Sequence, residues 1–363
     1  MRIIDSHFHW RPRSVLDYLC RRTDYPRAQP NAKGGYTYWR HEGKRISNVG
    51  GEWFDLEAQL AHLDTLDPGM GVICSVGPGT VSFTDFEGEE ARDICMMWNE
   101  EMAARQRQYA GRFWGTGVVP LNDTKIAIEV MEHAVGTLGL VGINLPGSVG
   151  ADPHIDAARL EPFYDRVEAL DVPLFLHPTD GIYEDILDGY NGALYLSLGR
   201  VVDVSVAAYR LVLSGIMERH PNLKLFMSHT GGALPYQAGR MDKNSGAAKL
   251  PRMPSEYLRR MYTDTVSPHT AGIKFAIDFY GVDHVMYGSD YPCWSPTAAL
   301  KYFGETGMSQ ADQEKIFQGN ARRILKLRDP APAPAQVKTA IREAAPAPGT
   351  TLISWSTANA TSV

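Results

Sequence analysis

Eight short runs of apolar and β-branched residues recur along the chain, and helix-like stretches separate most of them. The runs are Ile3–Ile4, Gly71–Val76, Phe113–Leu121, Val141–Leu145, Pro173–His177, Leu223–His229, Met261–Thr265 and Val285–Ser289. Between the first two, Leu56, Leu60, Leu63 and Leu66 fall on one face at helical spacing. Glu87–Ala110, Thr124–Leu138, Leu160–Leu170, Val202–Arg219 and Thr270–Tyr280 are patterned in a similar way. Strands that alternate with helices pair in parallel, because a parallel neighbour needs a crossover long enough to hold a helix. Eight of them predict a closed (β/α)8 TIM barrel, with chemistry at the C-terminal strand ends. An open doubly wound sheet is the competing architecture, but no Gly-x-Gly-x-x-Gly turn follows the first run. The residues that close each run are therefore the ones to inspect.

The first run continues as Asp5-Ser6-His7-Phe8-His9-Trp10. In an extended chain, residues i and i+2 share a face, which groups Asp5, His7 and His9 opposite Ser6 and Phe8. Two imidazoles and a carboxylate on one strand suit a divalent metal. An edge strand with two surface histidines has the same spacing. The other strand ends decide between them: the fifth run closes on His177, the sixth on His229 and the eighth on Asp290. An ionisable residue that follows an apolar strand is costly unless it is bonded or ligated. One buried histidine is an ordinary core residue, but five such groups at the same end of four strands point to a shared site. His41, His62, His133, His154, His220, His269 and His284 lack this placement and read as surface or structural residues.

Asp5-x-His7-x-His9, His177, His229-Thr230-Gly231-Gly232 and Gly288-Ser289-Asp290-Tyr291-Pro292 together resemble the amidohydrolase superfamily. More narrowly, they resemble its branch of decarboxylases typified by 2-amino-3-carboxymuconate-6-semialdehyde decarboxylase. The likeness runs from Met1 to about Leu327 and leaves out the tail. It implies that His7, His9, His177 and Asp290 bind one divalent ion, Zn²⁺ or Mn²⁺, with zinc the first choice. His229 would stand close by as a catalytic residue, and Asp290 would also carry a proton to the substrate carbon. Hydrolytic relatives that hold two metals use a carboxylated lysine on the fourth strand, whereas this chain reads Leu140-Val141-Gly142-Ile143-Asn144 there. The resemblance further implies cationic partners for an acid substrate. Arg45, in the loop after the first strand, is the nearest match to one family arginine. Arg240, eleven residues after His229, matches another that can reach across a homodimer interface into the partner's site. Trp294, after the eighth run, would roof the pocket together with the Gly-, Tyr- and Trp-rich loop insertion 31–53.

The leading expectation is thus a metal-dependent, non-oxidative decarboxylase (carboxy-lyase) of an aromatic or conjugated carboxylic acid. A hydrolase or hydratase of the same superfamily is the alternative, since the same ion can generate hydroxide. A third reading is a metal-bearing subunit of a larger, oxygen-using complex. Its only hint is the Pro/Ala-rich tail 329–363, which follows a single barrel domain, 1–328. The formal net charge of −6 gives no electrostatic reason to expect nucleic acid or a membrane surface. No apolar stretch approaches the roughly 20 residues of a bilayer span. The four cysteines are dispersed and form no C-x-x-C pair. That usage, with no signal peptide legible at the start, fits reduced thiols in a cytoplasmic protein.

Overall fold

The computed structural model describes residues 2–42, 44–77, 83–147, 154–178, 187 and 189–327; the tail 329–363 lies outside them. Eleven strands form among these. β1 is Ile4–His9, β2 Arg27–Pro30, β3 Tyr36–His41, β4 Lys44–Val49, β5 Gly71–Ser75 and β6 Phe113–Gly115. β7 is Ile143–Pro146, β8 Leu174–His177, β9 Leu225–Met227, β10 Tyr262–Asp264 and β11 Val285–Met286. Each of the eight runs read from the sequence supplies one strand: β1 and then β5 to β11.

These eight pair in parallel in chain order, as β1-β5-β6 and as β7-β8-β9-β10-β11. The two sets meet along two seams. At one, the N–H of Gly117, just past β6, donates to the Gly142 carbonyl at 2.8 Å, and Gly117 bridges Ile143. At the other, Phe8 bridges Tyr291, and the N–H of Ser6 donates to the Tyr287 carbonyl at 2.8 Å. The ring of strands is the expected (β/α)8 barrel.

Period-two alternation fills the ring in layers. Ile4, Ile73, Trp114, Phe175, Phe226 and Met286 point into one apolar cluster, closed by Ile324, Leu325 and Leu327 at and just past the end of the helix Asn320–Ile324. Phe175 and Phe226 stack there, with ring centroids 4.7 Å apart. Burying each such side chain contributes about 1.5–3 kcal/mol. Two residues further along β5 and β8 the same face carries Ser75 and His177, so the plug supports a polar layer at the C-terminal end. A larger core lies between the strands and the outer helices, with Trp98 and Met102 of the helix Gly88–Gln108 fully buried in it.

The structure departs from the sequence reading in the stretch after β1. Residues 31–53, read as a loop, form most of an antiparallel meander, β2-β3-β4. Its signal was the alternation Tyr36, Tyr38, whose rings are buried beneath the meander. Tyr36 packs edge-on against Phe54, and the Tyr38 hydroxyl donates to Asp85 at 3.0 Å. No helix among the described residues is long and apolar enough to cross a membrane.

Candidate functional site

The histidines of β1 reach the barrel interior because the strand is irregular. Its register against β5 shifts between Asp5 and Phe8, and a bulge of this kind re-aims the side chains that follow it. Strict alternation would have grouped Asp5 with His7 and His9. Instead the Asp5 carboxylate accepts the N–H of His7 at 3.1 Å and that of Ser289 at 3.0 Å, together with the Ser289 hydroxyl. Asp5 thus ties β1 to the segment after β11 and does not join the donor cluster. Burial pushes its carboxyl up to about 7, even though these hydrogen bonds favour the charged form.

The two glycine-containing motifs hold the chain where other residues would not fit. Ideal Cβ atoms on Gly231 and Gly232 would lie 2.2 Å from the Tyr280 hydroxyl and 2.5 Å from Ser205 Oγ. His229 and Thr230, just before them, have φ of 56° and 54°, and Asp290 has φ of 60°. Left-handed non-glycine residues cost about 1–3 kcal/mol each and persist where the surroundings over-determine them. Gly288 lets its strand close on the cluster, since a Cβ there would sit 2.8 Å from His7 Cβ and 3.1 Å from Asp264 Cβ.

Five groups from four strand ends converge. Their donor atoms form two triplets that share His7: His7, His9 and Asp290, and His7, His177 and His229. His7 Nε2 lies 3.5 Å and His9 Nε2 3.0 Å from Asp290 Oδ1, while His229 Nε2 lies 3.7 Å from Asp290 Oδ2. The His177 ring is 5.2 Å from that of His7 and 5.0 Å from that of His9, centroid to centroid. The three histidines expected as metal ligands are each anchored through Nδ1: His7 on Asp264 Oδ2 at 2.7 Å, His9 on the Ser75 carbonyl at 3.1 Å and His177 on the Pro178 carbonyl at 3.1 Å. Those acceptors assign the proton to Nδ1 and leave Nε2 bare and inward.

This donor set fits a divalent ion. Nε2 of His7 and of His177 are buried without a hydrogen-bond partner. The bare Nε2 of His9 faces a carboxylate oxygen, and two acceptors in contact call for a cation between them. Ligands held about 2.0–2.1 Å from zinc stand roughly 3.3–3.4 Å apart in a tetrahedron, close to the 3.0 and 3.5 Å edges here. Three of the four charge states agree. Burial, with the neighbouring imidazoles, holds His177 well below the usual histidine range, and burial lowers His9 as well. For Asp290, burial opposes ionisation, but the neighbouring imidazoles of His229, His7 and His9 keep its carboxyl well below the usual range. His7 is the exception: against burial, Asp264 and then Asp290 push it up to about 10.

A cavity of about 630 Å³ opens onto His177, His229 and Asp290. Arg200, Val266, Cys293 and Trp294 also line it, and Trp294 is 42% exposed. The Cys293 thiol is pushed well above its ordinary value by burial and then by Asp290, so it is a neutral wall residue. Arg240 is exposed on the helix Leu234–Asn244 and is not among the residues that line this cavity. Arg45 belongs to β4, paired with Trp39, and its side chain lies outside the described residues. Asn144, at the fourth barrel strand, is spent on structure: its amide donates to Thr116 Oγ1 and the Gly117 carbonyl, and its oxygen accepts the Val76 N–H.

Two functional candidates went unmarked in the sequence. Asp264 ends β10 as Asp290 follows β11, so the strand-end criterion would have found it. Arg200 begins the helix Arg200–Leu213, and no strand motif flags it.

Residues 4–327 match the amidohydrolase family. The chain is 32% identical over 305 residues to the gamma-resorcylate decarboxylase of Rhizobium sp. (strain MTP-10005), covering 80% of this chain and 91% of that one. It is 25% identical over 300 residues to the 2-amino-3-carboxymuconate-6-semialdehyde decarboxylase of Dictyostelium discoideum, covering 79% and 80%. Among solved structures, the dihydroxybenzoic acid decarboxylase of Polaromonas sp. JS666, with bound manganese and the inhibitor 2-nitroresorcinol, superposes with a TM-score of 0.74. That match has 25% identity and covers 90% of this chain and 97% of that one.

Proposed function

The chain belongs to the amidohydrolase family, and from that premise we propose that it is a metal-dependent, non-oxidative decarboxylase of a hydroxylated aromatic carboxylic acid. The observation that carries the reading is the set of three inward, bare Nε2 atoms around an ionised Asp290, beside a cavity large enough for one aromatic ring. The decarboxylase relatives supply the reaction class.

His7, His9, His177 and Asp290 hold the divalent ion. Three imidazoles suit zinc, and manganese is the ion named for the Polaromonas structure. When bound, the ion supplies a positive charge that orients the substrate carboxylate and an adjacent oxygen and draws off developing negative charge. The protein's own groups handle the proton. His229 Nε2 stands 3.7 Å from Asp290 Oδ2, and its Nδ1 has no hydrogen-bond partner. Its ring borders the cavity, so it takes up a solvent proton there and passes it to Asp290, which delivers it to the ring carbon that bears the carboxylate. The C–C bond then breaks, CO₂ leaves, and the electron pair of that bond restores the aromatic ring. Arg200 receives the anionic edge of the substrate, and Trp294 stacks on its face. Arg240 acts in trans, from a second copy of the chain in a homodimer.

The test is CO₂ release from 2,6-dihydroxybenzoate, other 2-hydroxybenzoates and carboxymuconate-type acids by zinc- and by manganese-loaded protein. Release that disappears in Asp290→Asn and His229→Ala is expected. Hydrolysis of lactones or amides without any CO₂ would overturn the reading in favour of a hydrolase.

A further inference from the structure

The Asp264 carboxylate serves two parts of the site at once. Oδ2 accepts His7 Nδ1–H at 2.7 Å and the backbone N–H of His229 at 3.1 Å. Oδ1 accepts the backbone N–H groups of Thr230 at 3.0 Å and Val266 at 2.9 Å. The residue is buried, so these four donors complete its hydrogen bonding. The first bond decides which nitrogen of His7 is bare. The second and third satisfy the two amides where the chain turns left-handed, at His229 and Thr230, and that turn aims the His229 ring at Asp290.

We propose that Asp264 is a positioning residue that couples the metal ligand to the proton relay, fixing the His7 tautomer and the His229 backbone with one carboxylate. The inference rests on His7 being a metal ligand. A carboxylate is needed because both of its oxygens accept two bonds each, and an amide has one such oxygen. In Asp264→Asn the NH₂ group must face two donors whichever way the amide turns. Facing His7, it can be satisfied only if Nδ1 becomes the acceptor, which moves the His7 proton to Nε2, against the ion. Residues that orient a ligand in this way are worth about 10–100-fold in metal affinity.

The experiment uses full-length protein and zinc alone as the probe. Zinc affinity is read by competition with a chromophoric chelator, and histidine tautomers by long-range ¹H–¹⁵N correlation on zinc-loaded, ¹⁵N-histidine-labelled protein. In the wild type, His7 shows a protonated Nδ1 and a zinc-bound Nε2. In Asp264→Asn, zinc affinity falls about 10–100-fold, and the His7 and His229 signals move while those of His9 and His177 stay. A residue with a merely structural role would lower the melting temperature and shift all four histidines alike. Wild-type His7 bound through Nδ1, or a variant that binds zinc within twofold of wild type with His7 unchanged, overturns the proposal. The wild-type spectrum decides the tautomer even where the variant fails to fold. If the zinc results hold and no CO₂ is released, the coupling stands and the proposed reaction falls.

Discussion

Replacing Gly288 by alanine adds a single methyl group where the segment just after β11 passes the cluster, and the structure sets its size and its victims. The new Cβ would lie 2.8 Å from His7 Cβ, 3.1 Å from Asp264 Cβ and 3.1 Å from Val266 Cγ2. Ordinary carbon–carbon contacts begin near 3.5 Å, so the neighbours must retreat by roughly half an ångström. All three are buried at or near the bases of their side chains, where no rotamer change gives relief. Over-packing of this kind costs about 1–3 kcal/mol. The damage to function is larger. The displacement opposes the 2.7 Å bond between His7 and Asp264 and moves Nε2 out of its place against Asp290. A misplacement approaching 1 Å is worth about 100-fold in rate. We expect Gly288→Ala to bind less than one equivalent of zinc at stoichiometric loading and to lose about 10–100-fold in kcat/KM. Its melting temperature should fall by a few degrees. Gly304→Ala is the control, because a Cβ there meets nothing within 4 Å, and it should melt at or slightly above the wild-type temperature. A Gly288→Ala protein with full zinc occupancy and wild-type kcat/KM would refute the claim that close approach at Gly288 seats the cluster.

Chelation should separate the contribution of the ion from that of the fold. With free zinc at 100 times its dissociation constant, binding adds about 2.7 kcal/mol, so stripping it should lower the melting temperature by about 5–10 °C, and zinc should restore it. Arg200→Gln should raise KM for hydroxybenzoates about 10–100-fold with kcat changed less, since a charge-assisted hydrogen bond is worth about 1.5–3 kcal/mol; an unchanged KM would remove Arg200 from the substrate contacts. Asn99→Ala should act on the fold alone. It strips partners from the Val118 N–H at 2.8 Å and the Val118 carbonyl at 3.0 Å, next to the seam at Gly117. The cost should be about 1–3 kcal/mol in denaturant unfolding, with zinc stoichiometry per folded molecule intact.

The parts of this protein legible in its sequence are those in which one residue type, at one spacing, has one physical solution. Each barrel strand is a short apolar run, and a histidine or aspartate just after such a run has few tolerable fates. Hence His7, His9, His177, His229 and Asp290 could be named before their convergence was visible. Asp5 misled because the alternation rule assumes an unbroken ladder; the register shift that sends it to Ser289 is a property of β1 against β5, and the sequence of β1 does not carry it. Asp264 was passed over for a different reason. It sits in Thr263-Asp264-Thr265, among polar residues that look like a strand fraying into a loop, yet Thr263 and Thr265 spend their hydroxyls on the Met227 and Gly288 carbonyls. Arg200 is harder still, since it enters the cavity from a helix remote in sequence from every strand end. A strand-end motif therefore yields the groups that meet at the barrel axis and those, like Trp294, that closely follow a strand, and a group delivered by a surrounding helix escapes it. Substrate choice resides in the cavity wall beyond the donor cluster, and substitutions at Arg200 and Trp294 should change which acids are accepted while leaving zinc affinity untouched.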